Sequence, residues 1–271
     1  MPFVDVHAHL IHPQFEGEER QAAERAQAAG LAAVVVNGLE PESNRRVLEL
    51  CEEYDHLYPA LGIYPIDAIA HRIDPQTWPH DWPPPKPFDV DAEIAFIDSV
   101  APRLIAIGEC GLDRYWLSDQ DQEQERVLRG LIEVALRHDK PVILHTRKAE
   151  ARTLEILLEM GVEKADFHCF TGKLKLAHRI AEAGYYLSIP PAVARDQTFQ
   201  RFAKELPLDR LLTETDSPYM GPVRGERNEP ANVPLGVAAM ATARGIEPAA
   251  MQTAIAENFE RLFGVPLSTS P

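Results

Sequence analysis

Cysteine is scarce in this chain. The 271 residues hold only Cys51, Cys110 and Cys169, an odd number with no C-x-x-C pair, which excludes a disulfide framework and a zinc-ribbon site. Long apolar runs are missing too: none approaches the ~20 residues that cross a bilayer, so no membrane partner is expected. Basic residues are outnumbered, 27 Lys and Arg against 42 Asp and Glu, for a formal charge of −15. A protein that coats duplex DNA is ordinarily basic, so any nucleic-acid partner must be gripped locally. Met1-Pro2-Phe3-Val4-Asp5-Val6-His7 has neither a basic nor an apolar leader region, and a cytoplasmic location is expected. No G-x-G-x-x-G follows the first β-rich run, which removes the usual dinucleotide-binding sheet.

What is present is ordinary in amount: 45% hydrophobic and 25% charged residues describe a globular chain, not a disordered or fibrous one. Eight short β-rich runs stand at 3–6, 31–36, 57–61, 104–107, 141–144, 164–167, 185–188 and 211–213, separated by segments of helical spacing. Most are apolar at nearly every position, as in strands covered on both faces. About 34 residues per unit suits a (β/α)8 TIM barrel of the α/β class, expected as a single domain over 1–271. The clearest helix precedes the fifth run, where Val127, Leu128, Leu131, Val134 and Ala135 form one stripe and Ser118 with Asp121 suggests a cap. The proline-rich stretch 73–87, with Trp78 and Trp82, reads as a long loop near the barrel mouth.

The chemistry is concentrated at the ends of these runs. Asp5-Val6-His7-Ala8-His9 places two imidazoles two residues apart, on one face of an extended chain. Glu109 follows the fourth run, His145 the fifth, His168 the sixth and Asp216 the eighth, all at the barrel end that carries active sites. Imidazoles with two carboxylates form a mixed N/O set suited to Zn²⁺, Mn²⁺, Fe²⁺ or Co²⁺, with Mg²⁺ a further candidate. Six ligands are too many for one catalytic ion with an open position. They suffice for two divalent ions if a carboxylate bridges, and Glu109 is the natural bridge. The remaining histidines, His56, His71, His80, His138 and His178, read as solvated surface residues, as does His12. Asp113 reads as a turn cap, and Cys110 and Cys169 as small core residues facing away from their neighbours.

These blocks are familiar in combination. Gly108-Glu109-Cys110-Gly111-Leu112-Asp113, Pro141-Val142-Ile143-Leu144-His145-Thr146-Arg147, His168-Cys169-Phe170-Thr171-Gly172, Glu214-Thr215-Asp216-Ser217-Pro218 and Arg227-Asn228-Glu229-Pro230 resemble the TatD family of metal-dependent hydrolases, a branch of the amidohydrolase-like barrels. The resemblance runs from Asp5 to Phe263, and the segment 184–191 followed by Leu206-Pro207-Leu208 is most similar to a metazoan-type subgroup. It implies a binuclear site in which His7, His9, Glu109 and Asp216 serve one ion and Glu109, His145 and His168 the other. It also implies phosphodiester hydrolysis, as in 3′→5′ exonuclease action on DNA ends or single strands. One departure stands out: where family members often carry Gly-x-His-Pro-His, this chain has Gly62-Ile63-Tyr64-Pro65-Ile66. Those histidines are expected to help hold substrate, so Tyr64 falls at a substrate-binding position.

Two divalent ions reverse the local potential of an acidic protein and draw in a phosphate. Glu109 and Asp216 are the expected catalytic carboxylates, with Asp216 accepting a proton from the attacking water. Arg147, two residues past His145, is expected to grip a phosphate oxygen through its planar fork, with Lys173 and Arg227 as further substrate contacts. A competing expectation keeps the metals and changes the bond: an ester, amide or lactone hydrolase on a small molecule or on charged transfer RNA. A barrel with a purely structural metal is a third, and open coordination positions argue against it.

Overall fold

The structure is a computed structural model that describes residues 1–78, 83–116 and 121–267, the Asp121 side chain excepted. Eight strands, β1 Phe3–Ala8, β2 Leu31–Asn37, β3 Leu57–Leu61, β4 Ala106–Asp113, β5 Val142–Arg147, β6 Ala165–Phe167, β7 Tyr186–Ile189 and β8 Leu211–Thr213, lie side by side in chain order. Every neighbouring pair is parallel. The ring is drawn together between its first and last members. The amides of Thr215 and Asp216 donate to the carbonyl of His7 at 3.3 and 2.8 Å, and the amide of His9 donates to that of Ser217 at 3.0 Å. This is a (β/α)8 barrel.

The covering helices are α1 Glu19–Ala28, α2 Pro41–Cys51, α3 Pro65–Ala68, α4 Val90–Val100, α5 Asp121–Arg137, α6 Glu150–Met160, α7 Leu174–Glu182, α8 Gln197–Glu205, α9 Val233–Arg244 and α10 Pro248–Phe263. Ala33, Val34, Val35 and Val36 of β2 are all fully buried, because a strand inside a helical ring has no solvent face. On α5 the stripe Val127, Leu128, Leu131, Val134 and Ala135 is buried as its spacing predicts; the expected Ser118 cap lies outside the described residues. So do His80 and Trp82. No described helix is long and apolar enough to cross a membrane.

Three strands run further than their apolar runs suggest. β1 reaches Ala8, β4 reaches Asp113 and β5 reaches Arg147, so His7, Glu109 and His145 sit within strands and not after them. Apolarity marks only the part of a strand that faces helices. The last turns of β4 and β5 are held by each other, with Gly111 opposite His145 and Asp113 opposite Arg147, and carry polar side chains into the barrel mouth.

Candidate metal centre

Six side chains predicted from the sequence meet at that mouth. Glu109 is their hub. Its Oε2 lies 3.3 Å from Nε2 of both His7 and His9, and its Oε1 lies 2.9 Å from His145 Nδ1 and 3.0 Å from His168 Nε2. His7 Nε2 and His9 Nε2 face each other at 3.0 Å, and Asp216 Oδ1 stands 3.9 and 3.6 Å from them. The His7 and His168 rings stack at 3.8 Å. Glu109 is 3% exposed and His7 fully buried.

Backbone geometry makes this crowding possible. A Cβ on Gly111 would stand 1.9 Å from the carbonyl oxygen of His145, and one on Gly62 would stand 2.2 Å from that of Glu109. Only glycine lets β3, β4 and β5 approach this closely around the hub.

The donor set is arranged for a cation. His9 Nδ1 lies 3.2 Å from the carbonyl oxygen of Asn37, which only accepts, so Nδ1 carries a proton and Nε2, facing Glu109, is the nitrogen left to bind a cation. His145 Nε2 likewise lies 2.9 Å from Asp113 Oδ2, which turns its Nδ1 lone pair toward Glu109 Oε1. Nitrogens aimed at a carboxylate call for a positive charge between them, a ring proton or a metal ion; the contacts to Glu109 outweigh burial and raise both rings. The spacing agrees: a tetrahedral ion with bonds of ~2.1 Å sets its ligands about 3.4 Å apart, and the contacts among His7, His9, Glu109 and Asp216 span 3.0 to 3.9 Å. The residues fit divalent metal. Two interlocked ligand triplets, His7–Glu109–His168 and His7–His9–Asp216, each bring their donors within 4.8 Å of one another.

Burial would raise the Glu109 carboxyl, but the His168 and His7 rings outweigh it and hold the group well below the usual carboxylate range. Burial drives the His7 imidazole down. It is outweighed at His168, where the Glu109 and Glu214 carboxylates hold the ring well above its ordinary value. Asp216 is pushed up by burial and by Glu109.

A second layer of polar groups surrounds the hub. Asp5 accepts from the amides of His7 and Thr215 at 3.1 and 2.9 Å and from the Thr215 hydroxyl at 2.6 Å; burial still pushes its carboxyl up to about 7. Ser188 Oγ lies 2.7 Å from Asp166 Oδ2 and 2.8 Å from Glu214 Oε2. One hydroxyl proton cannot serve two carboxylates, so one of the pair carries a proton of its own. Burial raises both carboxyls. Glu214 Oε2 in turn lies 3.5 Å from His168 Nδ1.

Several sequence expectations need correction. Asp113 does cap a turn, accepting from the amides of Tyr115 and Trp116, but its other oxygen orients His145. Cys110 is a buried core residue. Cys169 is not a simple core residue: at φ +44° it leaves the extended geometry that alternates side chains, and Asp216, Glu214 and Glu109 join burial in raising its thiol. His56 is buried, not solvated, and sits 3.0 Å from the carbonyl oxygen of Ala23, because the turn before β3 tucks under α1. Tyr64 lies with its hydroxyl 3.4 Å from Asp113 Oδ2 and its ring edge-on to His145 at 4.8 Å, while Ile66 is buried. Arg147 rests 3.9 Å above the Tyr115 ring, and its charge reaches Tyr64 and Cys169. Lys173 is exposed just ahead of α7. Arg227 is engaged elsewhere, by the Gln14 carbonyl and the Glu18 carboxylate at 2.7 Å each, and anchors the loop between β1 and α1.

A parallel eight-stranded barrel that gathers imidazoles and carboxylates at one end of its strands defines a class, the metal-dependent barrel hydrolases. The family profile described as TatD related DNase matches residues 4–264, and the chain belongs to that family. It is a hydrolytic enzyme acting on ester bonds. The human protein named deoxyribonuclease TATDN3 is 33% identical over 265 residues, covering 96% of this chain and 94% of its own. The 3′-5′ ssDNA/RNA exonuclease TatD of Citrobacter rodentium is 30% identical over 278 residues, covering 98% and 99%. YjjV of Escherichia coli, named an uncharacterized metal-dependent hydrolase, is 30% identical over 280 residues, covering 97% and 98%. Its crystal structure superposes with a TM-score of 0.83 at 28% identity, over 97% of this chain and 98% of that one.

Proposed function

We propose that the chain works as a single domain in the cytoplasm, as a phosphodiesterase that removes nucleotides from DNA ends or single-stranded DNA in the 3′→5′ direction. The observation that carries this is Glu109, whose two carboxylate oxygens each face a separate pair of imidazoles, the arrangement of a bridge between two ions. His7, His9, Glu109 and Asp216 would hold one ion and Glu109, His145 and His168 the other, with Zn²⁺, Mn²⁺ and Mg²⁺ as the candidates. Bound there, divalent ions supply Lewis acidity to phosphate oxygens and lower the pKa of water. The exonuclease name of the Citrobacter relative supports the substrate class and polarity.

The chain's own residues do the rest. Asp216, at the edge of the donor cluster and raised by burial and Glu109, takes the proton of the attacking water. Arg147, fixed against Tyr115, and the exposed Lys173 hold phosphate oxygens. Tyr64 presents a hydroxyl beside Asp113 to the nucleotide. Arg227 supports the loop behind His9 and touches substrate only through it. Asp113 fixes the tautomer of His145, so Asp113→Asn is expected to weaken metal affinity about 10–100-fold; titration of the stripped variant with Mn²⁺ or Zn²⁺ reads this directly, and unchanged affinity removes Asp113 from the centre.

The second reading, an acyl substrate, rests on Tyr64 and Ile66 standing at positions 64 and 66 in place of two histidines. A turnover comparison of metal-loaded protein on single-stranded oligonucleotides, carboxylic esters and lactones separates the two. Cleavage of the oligonucleotides with shortening from the 3′ end is expected. Turnover confined to acyl substrates overturns the proposal.

A further inference from the structure

A groove of about 790 Å³ opens on the same face of the barrel as the metal centre. Its walls are Arg114 behind β4, Lys148 and Glu150 between β5 and α6, Lys173 between β6 and α7, and Gln197 and Arg201 at the start of α8. Each belongs to a segment that follows a strand bearing or flanking a ligand, so the groove continues the mouth outward past His145 and His168. Its charge contradicts that of the molecule. In a chain of net charge −15, among the described residues no carboxylate lies within 4.0 Å of the side-chain nitrogens of Arg147, Lys148 or Lys173. Two other arginines of the walls, Arg152 and Arg201, are paired with acids, as are Arg126 and Arg129 on the helix surfaces beside them. Lys148 in the wall is also held in place, its Nζ 4.7 Å from the Tyr115 ring, and the same ring supports the neighbouring Arg147 at 3.9 Å. The acid in the wall, Glu150, is turned to the Lys148 amide at 3.2 Å.

We propose that this groove is a track for single-stranded nucleic acid, carrying the strand away from the metal centre, with Lys148 and Lys173 neutralising successive phosphates and Arg147 serving the phosphate nearest the cleaved bond. The inference rests on the phosphodiesterase reading and adds where the rest of the strand lies. A single strand is specified because the donors are buried, His168 at 5% and Glu109 at 3% exposure. A flexible strand lowers one phosphate to them while its neighbours lie in the groove, and a duplex is too wide to do so. Gripping unpaired cations is also how an acidic protein holds a polyanion locally.

The test uses the full metal-loaded chain and a fluorescent, cleavage-resistant phosphorothioate oligothymidylate of about twenty nucleotides, followed by anisotropy across a salt series. The double variant Lys148→Glu, Lys173→Glu is expected to bind at least tenfold more weakly and to lose about 1.4 from the slope of log affinity against log salt, two phosphate contacts of a single strand. Lys204→Glu, on α8 outside the groove, controls for net charge and is expected to bind as the parent does. Equal affinity and slope in the double variant, or an equal loss in the Lys204 control, overturns the track. Cleavage of the unmodified oligonucleotide by the parent protein reports separately on the phosphodiesterase reading, so a parent that binds through the groove without cutting refutes that reading alone.

Discussion

Replacing Glu109 by glutamine lowers oligonucleotide turnover at least about 1,000-fold, equivalent to ~4 kcal/mol of lost transition-state stabilisation, while the barrel stays folded. The size follows from position. Among the described residues Glu109 is the one side chain within 3.3 Å of four imidazoles, so the change removes the charge that both halves of the centre share. Glutamine keeps the volume, but its NH2 takes the place of one carboxylate oxygen and turns donor hydrogens toward one of the two imidazole pairs, where a cation would need an acceptor. Metal content per chain is expected to fall with activity, whereas far-UV circular dichroism and the melting temperature in chelator are expected to match the parent. Turnover within tenfold of the parent would show that the hub carries no chemistry.

Stripping the metal is the second large effect. Chelation abolishes turnover, and reloading at ~1,000 times the dissociation constant stabilises the fold by about 4 kcal/mol, a rise of roughly 8–16 °C in melting temperature for a domain of this size. The stabilisation comes from relieving an existing conflict. Without a cation, the contacts to Glu109 outweigh burial and raise the His9 and His145 rings, so metal must displace ring protons, while Asp5, Asp166, Glu214 and Asp216 are crowded into a buried space that raises every one of them. Ligand nitrogens must be unprotonated to bind, so metal affinity is expected to fall as the pH is lowered and binding to release protons. Calorimetry in buffers of different ionisation enthalpy counts those protons. A melting temperature indifferent to chelator and reload would mean that the donors hold no metal.

The barrel was readable because parallel strands inside a helical ring are apolar on both faces, and β2 and the α5 stripe show that signal undiluted. The ends of β1, β4 and β5 were not readable from apolarity, since there the sequence turns polar while the strand continues. The six donors were visible because each sits at or beyond an apolar run. Their partners were overlooked: Asp5 stands two before His7 within β1, Asp166 two before His168 and Glu214 two before Asp216, the last pair past the end of β8 with Asp216 at φ +50°, where a strand period gives no guide. Asp113 escaped because a side chain has two oxygens and was given one task. His56 escaped because the packing of a turn under α1 leaves no local pattern.

The seam between β1 and β8 has a consequence for biosynthesis. Asp5 is tied to Thr215, and the carbonyl of His7 receives the amide of Asp216, so the first and last thirds of the polypeptide must meet before the donor set is complete. A growing chain on the ribosome presents His7 and His9 early, yet the half of the donor set that includes Asp216 is incomplete until β8 has emerged and the ring has shut.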